Sequence, residues 1–356
     1  MPDRVLPLLL LSLLLGACGS AQASRSTVTT VHSASPTGCP GGGPLPEPTG
    51  GHAVGTAALP APAELGHLTA FYPTADCTGP RPQYLRAELA DALGLDRSAL
   101  DPIVVHAGSG ATPLGGVARP VVVLTPGWTS LVALSTSLAT DLASHGYVVV
   151  TDDPPLGTET TTFPDVDAAA RRLRVLRGIL DLLDDPTVEG VTGPLDRSHI
   201  AAGGHSYAGS VAFQLAQDDE RLTAVFDLDG VIHGAGLAAP MRVPALIVAT
   251  TGGSATDPSL AHVLGQSPHA VGIVLQRADH YDLTDVPALV TPLGALTASL
   301  AHGTIGVDAI GITNHLVRGF LDCVTSPAAH PCLPTAETLT AGLPDAAPLS
   351  VRDTRA

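Results

Sequence analysis

Residues 204–209, with the sequence GHSYAG, place a serine where it could act as a nucleophile. They follow a strand-like run and precede a helical pattern, and a G-x-S-x-G turn in that setting holds its serine in a strained conformation. Small residues are needed two positions before and after the serine. Gly204 and Ala208 meet this need, although Ala208 departs from the usual glycine. The pattern predicts Ser206 as nucleophile, in preference to an ordinary Gly-Ser turn, with the following helix dipole pointing at it.

A serine hydroxyl is a weak nucleophile at neutral pH, so a general base must take its proton. Triads built on this turn follow the chain order serine, acid, histidine. His280 comes shortly after the last predicted sheet strand, 271–275, where the base is expected. The competing histidines are expected to cap an element or to face solvent; they are His262, His269 and His302.

The acid of such a triad orients the imidazole and stabilises its charged form. Asp229 directly follows the strand that ends at Leu228 and is the preferred acid. Asp227 lies deeper on the same strand face and is interpreted as a structural or supporting carboxylate. Asp257 follows the next strand, where many enzymes with this turn carry their acid, but it lies several residues late. Asp257 remains the alternative.

The oxyanion formed by serine attack requires donors that are already in place. One should be the backbone N–H of Tyr207. The other should come from residues 125–129 (TPGWT), where Gly127 allows close backbone approach and Trp128 offers an N–H and an aromatic wall. The alternative interpretation is that Trp128, the only tryptophan, is a core anchor.

Apolar runs alternate with helical patterns through the middle of the chain. Strands are predicted over 120–124, 147–150, 199–202, 223–228, 245–250 and 271–275, and helices over 131–144, 165–183, 207–217 and 314–324. The alternation predicts an α/β fold with a mostly parallel central sheet and helices on both faces.

The N-terminal sequence is typical of an export signal. Arg4 precedes the apolar residues 5–15, which are about half as long as a bilayer-spanning helix. Residues 15–18 (LGAC) resemble the lipobox of bacterial lipoproteins, which implies cleavage before Cys18 and a diacylglyceryl group on its thiol. An ordinary signal peptide is the alternative.

Composition divides the chain further. Residues 18–61 are rich in Ser, Thr, Gly, Pro and Ala, which predicts a flexible tether, and the stretch after residue 333 is similar. The predicted organisation is a signal peptide over 1–17, the tether over 18–61, one catalytic domain over 62–333 and a loose tail over 334–356.

Four further cysteines in an exported chain predict two disulfides. Of the three pairings we favour Cys39–Cys77 and Cys323–Cys332, because each closes a short loop. No two of these cysteines form a CxxC-like pair, so a zinc site is poorly supported.

The balance of charge restricts the partners. The 356 residues carry a net charge of −16, and all 17 basic residues are arginines that form no basic run. This argues against a nucleic-acid partner. No metal or organic cofactor is implied, membrane contact is expected only through the lipid anchor, and a monomer is expected.

Several motifs resemble known enzymes. Residues 126–128 (PGW), 142–146 (LASHG) and 204–209 resemble both the bacterial relatives of platelet-activating-factor acetylhydrolase and the bacterial cutinases and polyester hydrolases. The similarity covers most of 68–325. It implies an α/β-hydrolase fold.

The two families differ in where the acid lies. Residues 228–230 (LDG) resemble the acid motif of the acetylhydrolase group, whereas the cutinase acid would fall near Gly253, where this chain has no carboxylate. The first family therefore implies the triad Ser206, Asp229 and His280. The chain departs from the family at Ala208 and at Pro126, which stands where the mammalian-type loop has histidine.

The resemblance implies two-step hydrolysis of a short-acyl or moderately hydrophobic ester by a bacterial cell-envelope lipoprotein or secreted enzyme. The rim of the site is expected to carry Trp128, Tyr207 and the loop 154–163. The alternatives are a polyester hydrolase, a thioesterase or an acyltransferase of the same fold, and a catalytically silent, surface-tethered binding protein.

Overall fold

One ten-stranded sheet organises the described residues, which in this computed structural model are 39, 41–153, 166–325 and 335–348. The strands are β1 (Ala53–Ala58), β2 (His67–Thr74), β3 (Gly108–Ser109), β4 (Arg119–Leu124), β5 (Val148–Asp153), β6 (Leu195–His205), β7 (Leu222–Leu228), β8 (Ala245–Thr250), β9 (Ala270–Leu275) and β10 (Ala346–Pro348). Their order across the sheet is β10-β9-β8-β7-β6-β4-β5-β2-β1-β3. The six strands from β9 to β5 are parallel, while β10 and β2 pair antiparallel to their inner neighbours.

Helices join successive strands along the chain. They are α1 (Ala87–Ala92), α2 (Thr136–Ser144), α3 (Val166–Leu182), α4 (Pro186–Thr192), α5 (Tyr207–Asp218), α6 (Ala235–Ala238), α7 (Pro258–Gln266), α8 (Val286–Leu293), α9 (Ala295–Ala298), α10 (Asp308–Thr325) and α11 (Ala336–Thr340). Single turns of 3₁₀-helix span Ala63–Leu65, Arg97–Leu100, Val132–Ser135, Ser254–Thr256 and His280–Leu283.

The central strands are buried on both faces because helices cover both sides of the sheet. Along β4, Val121 and Val123 pack with α3 and α5, while Val122 and Leu124 pack with α2 and α10. On the face covered by α3 and α5, the helical side chains include Leu176, Ile179, Val211 and Leu215. On the face covered by α2 and α10, they include Leu138, Leu142, Leu316 and Phe320. The prediction of an α/β fold with a mostly parallel sheet is confirmed.

The folded body begins earlier than the sequence predicted. β1 pairs antiparallel with β2 over its whole length, Leu45 is buried in the core, and the ring of His106 lies within hydrogen-bond distance of the carbonyl oxygens of Leu45 and Cys39. The prediction of a tether up to residue 61 is therefore wrong for residues 41–61. The residues of β1 give little hydrophobic signal because they are small, although the first four are buried and the strand pairs with β2.

The C-terminal segment is also part of the fold. β10 pairs with β9, and the side chain of Arg277 donates to Asp345 at 2.8 Å. The prediction of a loose tail after 333 is wrong for residues 335–348, since pairing with β9 satisfies their backbone.

Several N-terminal and loop predictions lie outside the described residues. They are the signal peptide over 1–17, the lipidated Cys18, residues 18–38 and 40 of the tether and the rim loop over 154–163. Among the residues that the structure does describe, no helix combines the length and apolarity needed to cross a membrane.

A disulfide joins Cys39 to Cys77, with their Cα atoms 5.3 Å apart. It fastens the N-terminal residue of the described chain beside β2. Cys323 is disulfide-bonded as well. The pairing Cys323–Cys332 stays a prediction, because Cys332 lies outside the described residues.

Replacement of both Cys39 and Cys77 by serine is expected to lower the free energy of unfolding. The bridged residues are 38 positions apart, and a loop of this length corresponds to about 4 kcal/mol of stabilisation on the chain-entropy model. Urea unfolding in non-reducing buffer measures the loss. The two single variants should resemble the double variant, and an unchanged unfolding midpoint would contradict the prediction.

Candidate active site

Ser206 occupies a strained turn between β6 and α5. Its backbone has φ 61° and ψ −124°, a region that is costly for any residue with a Cβ. Two hydrogen bonds hold it there: its N–H donates to the Leu228 carbonyl at 2.7 Å, and its carbonyl accepts from the Gly209 N–H at 3.1 Å. The serine therefore stands where a parallel strand ends and a helix begins.

The neighbours of Ser206 are small because the turn is crowded. Gly204 has φ +151°, and a Cβ there would lie 2.4 Å from the Thr125 carbonyl oxygen and 2.8 Å from the Cβ of Ala208. A Cβ on Gly209 would lie 1.8 Å from Asp227 Oδ1. Alanine is accommodated at 208 because the residue facing it has no side chain.

Asp229 and His280 meet at this turn. The Nδ1 atom of His280 lies 2.8 Å from Asp229 Oδ2. The other carboxylate oxygen accepts from Thr250 N at 2.7 Å, Ser254 N at 3.0 Å and Ser254 Oγ at 2.7 Å. With four hydrogen bonds, the carboxylate is fixed in position and oriented towards the imidazole.

The environment of Asp229 keeps it ionised. Burial by itself raises the pKa of this carboxyl, but the hydrogen bond and charge of His280, together with the hydrogen bonds from Ser254, bring the pKa below its usual value. The carboxylate therefore presents a negative charge to the imidazole. This is the electrostatic property that a general base needs from its partner.

His280 opens the 3₁₀ turn that follows β9. The Asp279 side chain accepts from the His280 N–H at 2.7 Å, and the Asp282 side chain accepts from the Asp279 N–H at 2.8 Å. This reciprocal cap fixes the backbone that carries the imidazole. Because Nδ1 faces Asp229, Nε2 is the atom left for proton transfer.

His205 links the serine turn to the base. Its Nε2 lies 2.7 Å from the His280 carbonyl oxygen, and the two imidazole rings are 4.3 Å apart at their centroids. Burial, with a smaller effect of His280, lowers the pKa of His205 to about 3. The ring is therefore neutral at neutral pH, and its Nε2–H donates to the carbonyl.

The loop after β4 lies directly against the serine. A Cβ on Gly127 would be 3.4 Å from Ser206 Cβ and 3.1 Å from the His205 carbonyl oxygen, so only glycine fits closely. The half-buried Trp128 packs edge-on against Tyr207, with ring centroids 5.1 Å apart. The structure thus places both predicted donor residues beside Ser206, and their donor role stays a prediction.

The two other candidate carboxylates have different positions. Asp257 caps α7 by accepting from Ser259 N at 2.8 Å. Asp227 is fully buried, and its carboxyl oxygens lie 3.1 and 3.0 Å from the Gly230 N–H. Burial and the charge of Asp229 raise the pKa of Asp227 well above its ordinary value. Of the three candidates, Asp229 is the one that contacts His280.

Gly253 leaves room for the carboxylate of Asp229, which follows β7. A Cβ at this position would lie 1.9 Å from Asp229 Oδ2 and 2.6 Å from Thr250 Oγ1. The carboxylate of Asp229 therefore fills the space into which a side chain at 253 would extend. Acids at both positions cannot coexist in this arrangement.

The competing histidines lie on the surface. His262, His269 and His302 are all exposed, and His262 Nε2 lies 3.2 Å from the Leu237 carbonyl oxygen. Within the part of the chain that the structure describes, no group of three or more His, Cys, Asp or Glu side chains is arranged to hold a metal ion.

Sequence reasoning missed Arg172, a buried arginine of α3. Its Nη1 donates to Thr125 Oγ1 at 2.7 Å and to the Pro126 carbonyl at 2.8 Å. A signal was present, since Arg172 lies four residues before Leu176 on the apolar stripe of its helix. That stripe gives no indication of the polar contacts that Arg172 makes with the loop after β4.

Known proteins match the chain at the same place. A family model described as PET hydrolase-like matches residues 106–267, which contain Ser206 and Asp229 but end before His280. Cutinase 2 of Thermobifida cellulosilytica and a cutinase of Thermobifida fusca are each 33% identical over 127 residues, or 36% of this chain. The chain spans less than half the length of these curated relatives, 45% and 37%.

Among solved structures, a ferulic acid esterase from Streptomyces cinnamoneus aligns with a TM-score of 0.68 and 26% identity. The alignment covers 85% of this chain and 98% of the esterase. The chain has the α/β-hydrolase fold. Ser206, Asp229 and His280 follow β6, β7 and β9, so that the parallel sheet brings them to one edge.

The stability of this protein should depend on pH through His205. The unfolded state gains a proton on this ring below about pH 6.5, but the folded state resists it until about pH 3. Stability from the neutral ring is therefore present above the unfolded pKa and is lost as pH falls from 6.5 towards 3. His205→Gln keeps an N–H donor without a titrating ring, so its melting temperature should fall less between pH 6.5 and 4.

The exposed His262 supplies the matched control. His262→Gln should keep the pH dependence of the wild type, since no buried ring is removed. Equal slopes of melting temperature against pH for wild type and His205→Gln would refute this interpretation of His205.

Proposed function

We propose that this α/β-hydrolase is a serine carboxylic-ester hydrolase that acts through an acyl-enzyme on Ser206. The observation that carries the proposal is the 2.8 Å hydrogen bond between Asp229 and His280 beside the strained Ser206 turn. The names of the relatives, two cutinases and a ferulic acid esterase, support chemistry on esters.

In the proposed acylation, His280 Nε2 takes the proton of Ser206 Oγ as this oxygen attacks the carbonyl carbon of the ester. The bond from that carbon to the alcohol oxygen then breaks, and the imidazolium returns the proton to the leaving alcohol. In deacylation, His280 activates water in the same way. The attacking water oxygen stays in the carboxylic acid, and Ser206 recovers its proton.

Charge is stabilised at two points in this proposal. The ionised Asp229 stabilises the imidazolium, because its pKa lies below the usual range. The backbone N–H groups of Trp128 and Tyr207 stabilise the oxyanion. Neither the glycine-lined loop nor the helix start has to rearrange when charge develops, since both already pack against Ser206.

The proposed substrate is a short-acyl or moderately hydrophobic ester. Trp128 is half-buried and Tyr207 packs against it, and Tyr281 lies half-buried beside His205 and His280. This aromatic surface suits an apolar substrate. The match to the PET hydrolase-like model favours synthetic polyesters as a second candidate substrate.

We also propose that the enzyme is exported and acts as a monomer. The disulfide between Cys39 and Cys77 supports an oxidising compartment. Attachment to a membrane through a lipid on Cys18 is part of the proposal and rests on the sequence of residues 15–18.

The nucleophile is tested with a fluorophosphonate probe, which reacts with an activated serine. We expect the wild type to be labelled and Ser206→Ala to remain unlabelled, because the alanine has no oxygen to attack phosphorus. Ser198→Ala, at an exposed serine of β6, is the control and should label normally. Failure to label the wild type would instead support the silent binding protein.

The identity of the catalytic acid is tested by replacing each of the two candidate aspartates with asparagine. Asp229→Asn should lower kcat on p-nitrophenyl acetate by up to about 10⁴-fold, by comparison with a serine protease triad. Asp257→Asn should be nearly normal in turnover and in stability, because asparagine also caps helices well. The reverse result would identify Asp257 as the acid and overturn the assignment.

A further inference from the structure

Arg172 places a buried positive charge under the loop that follows β4. Its side chain is 3% exposed, and Nη1 donates to both Thr125 Oγ1 and the Pro126 carbonyl. Thr125 and Pro126 are the two residues before Gly127, which touches Ser206. The arginine therefore binds the loop at the two residues that directly precede Gly127, the glycine beside Ser206.

Asp152 balances this charge. It lies near the end of β5, where Leu124 of β4 is paired with Thr151, and it is completely buried. Burial raises the pKa of Asp152 to about 6, while the nearby charge of Arg172 acts in the opposite direction. Burial of a guanidinium is costly without such partners. A hydrophobic side chain at 172 would leave the buried Asp152 and the Pro126 carbonyl without this partner, so the arginine is tied to both the carboxyl and the loop.

Hydrogen bonds to carbonyls fix the orientation of peptide planes. Arg172 holds the carbonyl of Pro126, and the Ser130 N–H donates to the carbonyl of Gly127 at 3.2 Å. In a trans peptide the N–H points opposite to the carbonyl of the same plane. With the Gly127 carbonyl turned towards Ser130, the Trp128 N–H points away from it.

We infer that Arg172 is a positioning residue, which holds Thr125 and the Pro126–Gly127 peptide plane so that the next plane, which carries the Trp128 N–H, is aimed at the oxyanion formed on Ser206. The inference rests on the proposed ester hydrolysis and deepens it. Arg172 does not touch the substrate. It acts through the Thr125 hydroxyl and the Pro126 carbonyl, and its loss lets this part of the loop turn.

The test compares Arg172→Met and Arg172→Lys with the wild type in steady-state hydrolysis of p-nitrophenyl acetate. Removal of one oxyanion donor costs about 10²–10³ in kcat, so a misaimed donor should cost about ten- to a hundred-fold. We expect Arg172→Met to lose this factor in kcat with KM little changed. Arg172→Lys should recover part of it, because an ammonium can still donate to the same oxygens.

A transition-state analogue separates positioning from general damage. An alkyl trifluoromethyl ketone adds to the serine to form a tetrahedral oxyanion. Its inhibition constant should rise in Arg172→Met by about the factor lost in kcat/KM. If Arg172 had a purely structural role, the fold rise in the inhibition constant would differ greatly from the fold loss in kcat/KM.

Arg177, on the same helix, provides the matched control. It is half-exposed and pairs with Asp218 at 3.4 Å, away from the loop. Arg177→Met should keep the kcat and inhibition constant of the wild type. Should Arg172→Met not fold, Thr125→Val carries the test, since it removes one acceptor and keeps the shape; a several-fold loss in kcat is then expected.

Failure of the proposed function and failure of the positioning role would give different results. A wild type without ester turnover would overturn the proposed function and the positioning role together. An active wild type, abolished by Ser206→Ala, combined with unchanged kcat in Arg172→Met and in Thr125→Val would overturn the positioning role alone. A rise in KM at constant kcat would also overturn it, because that result describes substrate binding.

Discussion

The contact between the buried carboxylate of Asp229 and Nδ1 of His280 is the interaction on which the rest of the site depends. A buried negative charge is costly unless donors surround it. Thr250 and Ser254 supply those donors from the end of β8 and the turn after it, and the imidazole comes from the turn after β9. Three neighbouring strand ends thus cooperate to hold one charge, which is possible because parallel strands all end at one edge of the sheet.

The same strand ends hold the strained backbone. Ser206 and Asp229 both have positive φ, at 61° and 59°. Each is the first residue after its strand, and each donates its N–H to the next strand at 2.7 Å, to Leu228 and Val248 respectively. The strain is therefore stabilised by continuing the sheet by one hydrogen bond beyond each strand.

Burial divides the ionisable groups near the turn into charged and neutral members. Asp227 lies close enough to Asp229 that the two negative charges repel, and burial raises the pKa of Asp227 well above its usual range. His205 stays neutral because burial lowers its pKa to about 3. Asp229 alone of these three is favoured in its charged form. Burial thus disfavours a charge on Asp227 and on His205, and Asp229 is the carboxylate that contacts the imidazole of His280.

The local sequence was enough to predict the central strands, the long helices and the serine turn. Periodic apolar residues and small residues around the serine form patterns that are visible within a few positions. Strands β1 and β10 were missed, since short runs of small residues give no such pattern. Sequence could rank Asp229 above Asp257 but could not decide between them. That choice depends on which carboxylate reaches His280, and on the space at Gly253 that Asp229 fills. Arg172 was likewise visible only as a residue on an apolar stripe. Its contact with the loop after β4 joins residues 46 and 47 positions apart, and only the packing of helix on sheet decides such a contact.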